Sequence, residues 1–185
     1  MDVYSLLKFL HVACVIMWLG AGLCLVFLGI VADLQGDKEG FGRVLQHVIF
    51  MSPRVFIPTS LAALVFGATA AFLDWGFGNL WIVLGLVGFV VTFLTGILIL
   101  APSSAKITAM IAREGFSEGV VVSGRELLNH AKFDFVVLFA VVFDMVFKPT
   151  LSDWPALAVM VVALIVGAVV FLMPGMVRAR VPAGA

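Results

Sequence analysis

Apolar residues dominate this chain in long runs with sharp polar edges. No charge interrupts residues 9–32, between Lys8 and Asp33. As a helix that run reaches about 36 Å, enough to cross a hydrocarbon core of roughly 30 Å. A second run fills 55–73, between Arg54 and Asp74, and a third fills 75–105. The third opens on Trp75-Gly-Phe-Gly-Asn79, which reads as a turn, so its helix is expected over 79–101, ending near Pro102. Phe133 to Phe147 is apolar apart from Asp134 and Asp144, and Trp154 to Val177 is uncharged, with Pro155 suited to a first helical turn. The pattern predicts an all-α, polytopic transmembrane bundle in a single membrane domain, with five spans near 5–32, 54–74, 79–101, 131–148 and 154–176.

The connections differ in character. Cytoplasmic loops are expected at 33–53 and 102–130, with short turns near 74–78 and 149–153. Within the first loop, Phe41, Val44, Leu45, Val48 and Ile49 recur at helical spacing, as in an interfacial amphipathic helix. In the second, a helical stretch is expected, followed by a break between Gly115 and Gly119. Ser123-Gly-Arg-Glu126 fits a capping box that would start the fourth helix.

Composition supports lipid as the solvent. Of 185 residues, 63% are hydrophobic and 12% charged, against about 25% charged in ordinary soluble domains. The formal net charge is zero and points to no nucleic-acid partner. Position matters more than sum. Lys38, Arg43, Arg54, Lys106, Arg113, Arg125, Lys132, Arg178 and Arg180 fall on one side of the spans, and only Lys8 and Lys148 on the other. The positive-inside rule then predicts a bacterial cytoplasmic (inner) membrane protein with its N-terminus outside and its C-terminus cytoplasmic. Met1-Asp2 opens without a basic region, so the first run reads as a retained span. Cys14 and Cys24, ten residues apart on one helix, cannot form a disulfide and match no C-x-x-C motif.

Few residues are able to carry chemistry. His11, Trp18, Gly22 and Gly29 lie within about 20° of one another on a helical wheel, a face suited to packing on protein. His11 is a candidate ligand for haem or a transition metal, or a proton-handling group; alternatively it is bonded to a neighbouring helix. Asp144 lies four residues inside Lys148, and His11 three inside Lys8. Asp144 is expected either to pair with Lys148 or, at matching depth, to hydrogen-bond His11. A second polar group, Arg54, His130, Lys132 and Asp134, reads as an ion-pair cluster at the cytoplasmic boundary. Ala63, Gly67 and Ala71, and again Ala156, Met160, Ala163 and Gly167, form small-residue packing stripes. No nucleotide-binding or hydrolase motif is present, so a non-enzymatic role is favoured. The expected surroundings are the lipid bilayer, with a homo-oligomer or a membrane-complex partner as further options.

Leu7-Lys8-Phe9-Leu10-His11, followed by Trp18-Leu19-Gly20, resembles the opening of a bacterial family of predicted integral membrane proteins of unknown function. Met145-Val-Phe-Lys148-Pro149 resembles that family's M-x-x-K-P end of the fourth span. The L-H…W-x-G opener is also similar to the membrane domain of copper-resistance D proteins and to the small haem-b protoporphyrinogen oxidase. The last likeness implies a haem ligand at His11. The chain departs from that oxidase over Val26–Asp33, where the oxidase's Pro-Arg pair and second histidine are missing.

Overall fold

A computed structural model describes residues 2–173. Among these residues the chain forms five continuous helical rods that run up and down in an antiparallel bundle. The first is α1 (Val3–Leu34), N-capped by Asp2, whose carboxylate accepts the Ser5 N–H. The second joins α2 (Lys38–Met51) to α3 (Ile57–Asp74) through a π-helical turn, Ser52–Phe56. The third joins α4 (Leu80–Thr95) to α5 (Ala101–Glu114) through a second π turn, Gly96–Leu100. The fourth is α6 (Glu118–Phe147) and the fifth α7 (Trp154–Phe171). Arg178 and Arg180 lie outside the described residues.

Four rods are long and apolar enough to cross a membrane: Val3–Leu34, Lys38–Asp74, Leu80–Glu114 and Trp154–Phe171. The other, α6, carries Lys132, Asp134 and Asp144 through its apolar half and is enclosed by protein. It packs on α4 and α7 along its membrane half and on α1, α2 and α5 elsewhere. Its enclosure follows from its charges, because an ionisable side chain inside a bilayer is stable only facing the bundle or water.

Two expectations are corrected here. Segments 33–53 and 102–130 carry the helices expected within them, but α2, α5 and the start of α6 continue the rods beyond a membrane's thickness instead of forming separate loops. Their amphipathic faces bury Phe41, Leu45, Ile107, Val120, Leu127 and Leu128 in a shared core with Ala32 of α1. The fourth helix starts at Ser117, not Ser123: Gly115 turns the chain at φ 67°, and the Ser117 hydroxyl accepts the Val120 N–H. Ser123 lies within α6.

Pro102 does not end its helix either. In both π turns the N–H just before a proline reaches back five residues, Ile57 to Ser52 O and Ala101 to Gly96 O. Pro58 and Pro102 follow directly. A proline in an α-helix clashes with the carbonyl four residues earlier and offers it no proton; the wider turn accommodates both defects within one helix.

Close approach at small residues draws the rods together. Ala63 and Ala71 of α3 are buried against α1, as their stripe predicts. Gly85 and Gly88 of α4 receive Met145 and Val141 of α6. Of the last span's stripe only Gly167 is buried, against Val136. A methyl group on Gly167 would lie 2.9 Å from a Val136 methyl, and a β-branched neighbour cannot swing clear. Gly167→Ala should therefore destabilise the protein by about 1–3 kcal/mol. Gly20→Ala, with nothing within 4 Å of the new carbon, should not. Thermal unfolding in detergent distinguishes the two.

Candidate functional site

The helix ends near Trp75, opposite α2 and α5, hold the first group of polar residues. Here His11 of α1 leans onto α3. Its Nδ1 lies 2.7 Å from the carbonyl oxygen of Ala63, and because a carbonyl can only accept, Nδ1 carries the proton. Nε2 of the neutral ring is then left as an acceptor. Gly67, one turn further along α3, makes room for the ring: a Cβ there would sit 2.6 Å from Nδ1. The stripe read as helix packing is thus also the seat of the histidine.

Asp144 of α6 is fully buried, and neither carboxylate oxygen has a hydrogen-bond partner among the described residues. Its Oδ2 lies toward Gly85 of α4. Although α1 and α6 do pack together, the expected His11–Asp144 hydrogen bond is not formed, because each side chain faces a different neighbour.

The Asp144–Lys148 ion pair is not formed either. Lys148 takes a left-handed conformation (φ 48°), its N–H bonds Asp144 O, and buried Pro149 stops the helix. That turn swings the ammonium over the rings of Trp75 (4.2 Å) and Trp81 (5.0 Å). Trp75 in turn packs edge-on against Trp81 and donates its indole N–H to Tyr4 Oη at 3.1 Å. The M-x-x-K-P ending therefore builds a cation–π seat. The two tryptophans were legible in sequence only as an interfacial belt. Lys8 is exposed, and Trp18 is half-buried, edge-on to Phe89.

The second polar group is not gathered into a cluster. Arg54 bonds Phe50 O and covers the Phe50 ring, His130 Nδ1 donates to Glu126 O, and Lys132 reaches Asn129. These hydrogen-bond partners are local, within one helical turn, while the Lys132 ammonium also lies 6.0 Å from the centre of the Phe171 ring of α7. The cross-helix ion pairs instead join Arg125 to Asp33 (2.7 Å) and Lys38 to Glu118. The hydrogen bond and charge of Lys38 hold the Glu118 carboxyl below its ordinary value. Asp134 stands apart from these, with Oδ1 buried and without a partner among the described residues.

Asp134 lines a cavity of about 420 Å³ that sequence reasoning missed. Walls from α1, α2, α3, α4, α5 and α6 meet there with both π turns. The signal that could have found it is the pair of prolines, Pro58 and Pro102, inside otherwise helical patterns. Among the described residues no three His, Cys, Asp or Glu side chains come together as a metal-ligand set. The His11 ring is held through Nδ1 by a backbone acceptor.

A double-mutant cycle tests the His11 seat. Gly67→Ala should cost about 1–3 kcal/mol where the ring is present. It should cost much less in a His11→Ala background, a coupling within the roughly 0.5–3 kcal/mol range of contacting residues. Additive losses in thermal unfolding would place the ring elsewhere.

No curated protein and no solved structure matches this chain. Residues 5–149 match the family described as "predicted integral membrane protein (DUF2269)", which takes in all but the last helical rod of the described fold. The chain belongs to that family of integral membrane proteins.

Proposed function

We propose that this is a non-enzymatic protein of the bacterial cytoplasmic membrane whose His11 site takes up and releases a proton near the outer face. The observation that carries the reading is the Nδ1–Ala63 hydrogen bond. It fixes the ring and its tautomer while leaving Nε2 as a proton acceptor. Asp144 supports the reading as a buried carboxyl with no competing partner among the described residues. By helical rise it lies about 6 Å inside Lys148, close to the depth of His11 inside Lys8. The orientation rests on charge: nine of eleven Lys and Arg residues lie at the α2/α5 side of the spans or in the C-terminal tail.

A second reading, haem b on His11 Nε2, rests on the same anchored ring, because a backbone acceptor on the other nitrogen is what orients a metal-bound imidazole.

One preparation separates the two. In proteoliposomes with an internal pH dye and an imposed membrane potential, wild-type protein should acidify the lumen. His11→Ala should abolish uptake, and Asp144→Asn should reduce it, because it removes the second buried side chain able to hold a proton. Uptake unchanged in both variants would overturn the proton reading. A Soret absorption in the purified protein that vanishes in His11→Ala would establish the haem reading in its place.

The orientation makes its own prediction. A C-terminal fusion to a reporter that folds only in the cytoplasm should be active, and one to a periplasm-dependent phosphatase should be silent. The reverse pattern would invert the topology.

A further inference from the structure

The cavity beside Asp134 is separate from the His11 site, and its charge is one-sided. Asp134 is the one ionisable side chain among the residues that line it. It sits within a stripe of α6, with Leu127, Ala131, Phe135 and Leu138, that forms one wall. Its Oδ1 is shut in without a partner. Oδ2 is not shut in and takes no hydrogen bond or ion pair among the described residues, so it is the oxygen open to the cavity. The cations expected beside Asp134 are engaged elsewhere: Arg54 on the Phe50 ring and carbonyl, His130 on Glu126 O, and Lys132 on Asn129 and the Phe171 ring. The neutral polar groups of the lining do not replace them. Ser60 donates to Ile57 O and Thr92 to Phe89 O, each at 3.0 Å, and Ser104 Oγ is closed off from the space. The Ser52 hydroxyl and the Trp18 indole N–H carry no net charge. Five aromatic rings stand among the walls: Trp18, Phe41, Phe56, Phe93 and Phe135.

We infer that this cavity binds a hydrophobic organic cation, an ammonium or phosphonium with apolar substituents, whose charge faces Asp134 Oδ2. Charge selects that class. An ionised carboxyl without a counter-charge is costly away from water, and a cation beside it offsets the cost. Water, an alcohol and a lipid tail bring no positive charge, and an acid brings a second negative one. A proton neutralises the same carboxyl, so the cation and a proton compete for it. The walls select the rest of the ligand. Aromatic faces attract a cation within about 6 Å, more strongly once it is desolvated, and the carbon lining takes the apolar substituents. The volume, about 420 Å³, falls within the range of about 300–1,000 Å³ for small-molecule sites. The basic residues at this end of the bundle do not cancel the attraction. None of them lines the cavity, and salt screens exposed charges beyond about 10 Å, while buried charges are screened much less.

The test uses full-length protein in phosphatidylcholine nanodiscs, radiolabelled tetraphenylphosphonium as the probe and empty nanodiscs as the baseline. Binding above the baseline should saturate. Unlabelled tetraphenylarsonium, a cation of the same shape, should displace the probe, and neutral triphenylphosphine oxide should not. Asp134→Asn keeps the shape of the side chain and removes its charge; it should weaken affinity by about tenfold or more, as expected for a lost partner in a desolvated charge pair. Asp134→Glu should retain most of the affinity. Asp144→Asn, which neutralises a buried carboxyl outside the cavity lining, should leave binding unchanged. Gly96→Leu checks the place independently of the carboxyl. Gly96 lines the cavity, and a Cβ added to it would meet nothing within 4 Å, so the larger side chain starts without striking a neighbour. It should weaken binding while the unfolding midpoint holds. No saturable binding, equal displacement by the phosphine oxide, unchanged affinity in Asp134→Asn or in Gly96→Leu, or an equal loss in Asp144→Asn would each overturn the assignment.

Discussion

Lys132, Asp134 and Asp144 ride on α6 through a stretch that must be apolar on most of its surface. Placing one such charge at the centre of a bilayer costs at least about 2.5–3.5 kcal/mol. Three on one helix are tolerable only if protein replaces lipid around it. The bundle answers that constraint. α4 and α7 flank the membrane half of α6, α1 crosses its middle, and α2 and α5 enclose its beginning. Glycines supply the close contacts: Gly22 of α1 meets Phe135, Gly85 and Gly88 of α4 meet Met145 and Val141, and Gly167 of α7 meets Val136. Without a hydrophobic driving force between helices in lipid, such close packing is the main source of association.

A second constraint acts on the backbone. In hydrocarbon every N–H and C=O must be bonded internally, so prolines are expensive in a spanning helix. Pro58 and Pro102 are retained here through π turns that keep both rods continuous. The same turns widen the helices where the membrane half gives way to the amphipathic α2 and α5, and the cavity beside Asp134 borders them. Continuity of the rods and room for the cavity thus have one local cause.

The polar groups have solved their burial in different ways. His11 uses a backbone carbonyl exposed by small residues on α3. Lys148 uses two indole faces made available by a left-handed helix end. Asp144, and Asp134 through its Oδ1, use no protein partner among the described residues. Buried unpartnered oxygen atoms are uncommon in folded proteins and call for an explanation by function or by a bound molecule.

The sequence by itself determined the membrane class, the helical content, the limits of the apolar runs and the side on which basic residues collect. These follow from local physics: hydropathy over about 20 residues, turn-forming glycines and the distribution of charge. It also marked Ala63, Gly67 and Ala71 as a packing face. Only the tertiary structure decided who packs on that face, and the answer was His11 rather than an aliphatic side chain. It alone turned Asp144 toward Gly85 and away from both His11 and Lys148, since side-chain partners depend on helix rotation and neighbour order, which periodicity does not encode. It also joined residues 33–53 and 102–130 to the bundle as helices, because their apolar stripes are stable only against one another. The cavity belongs to the same class of fact: its walls come from rods far apart in sequence and meet only when the bundle folds.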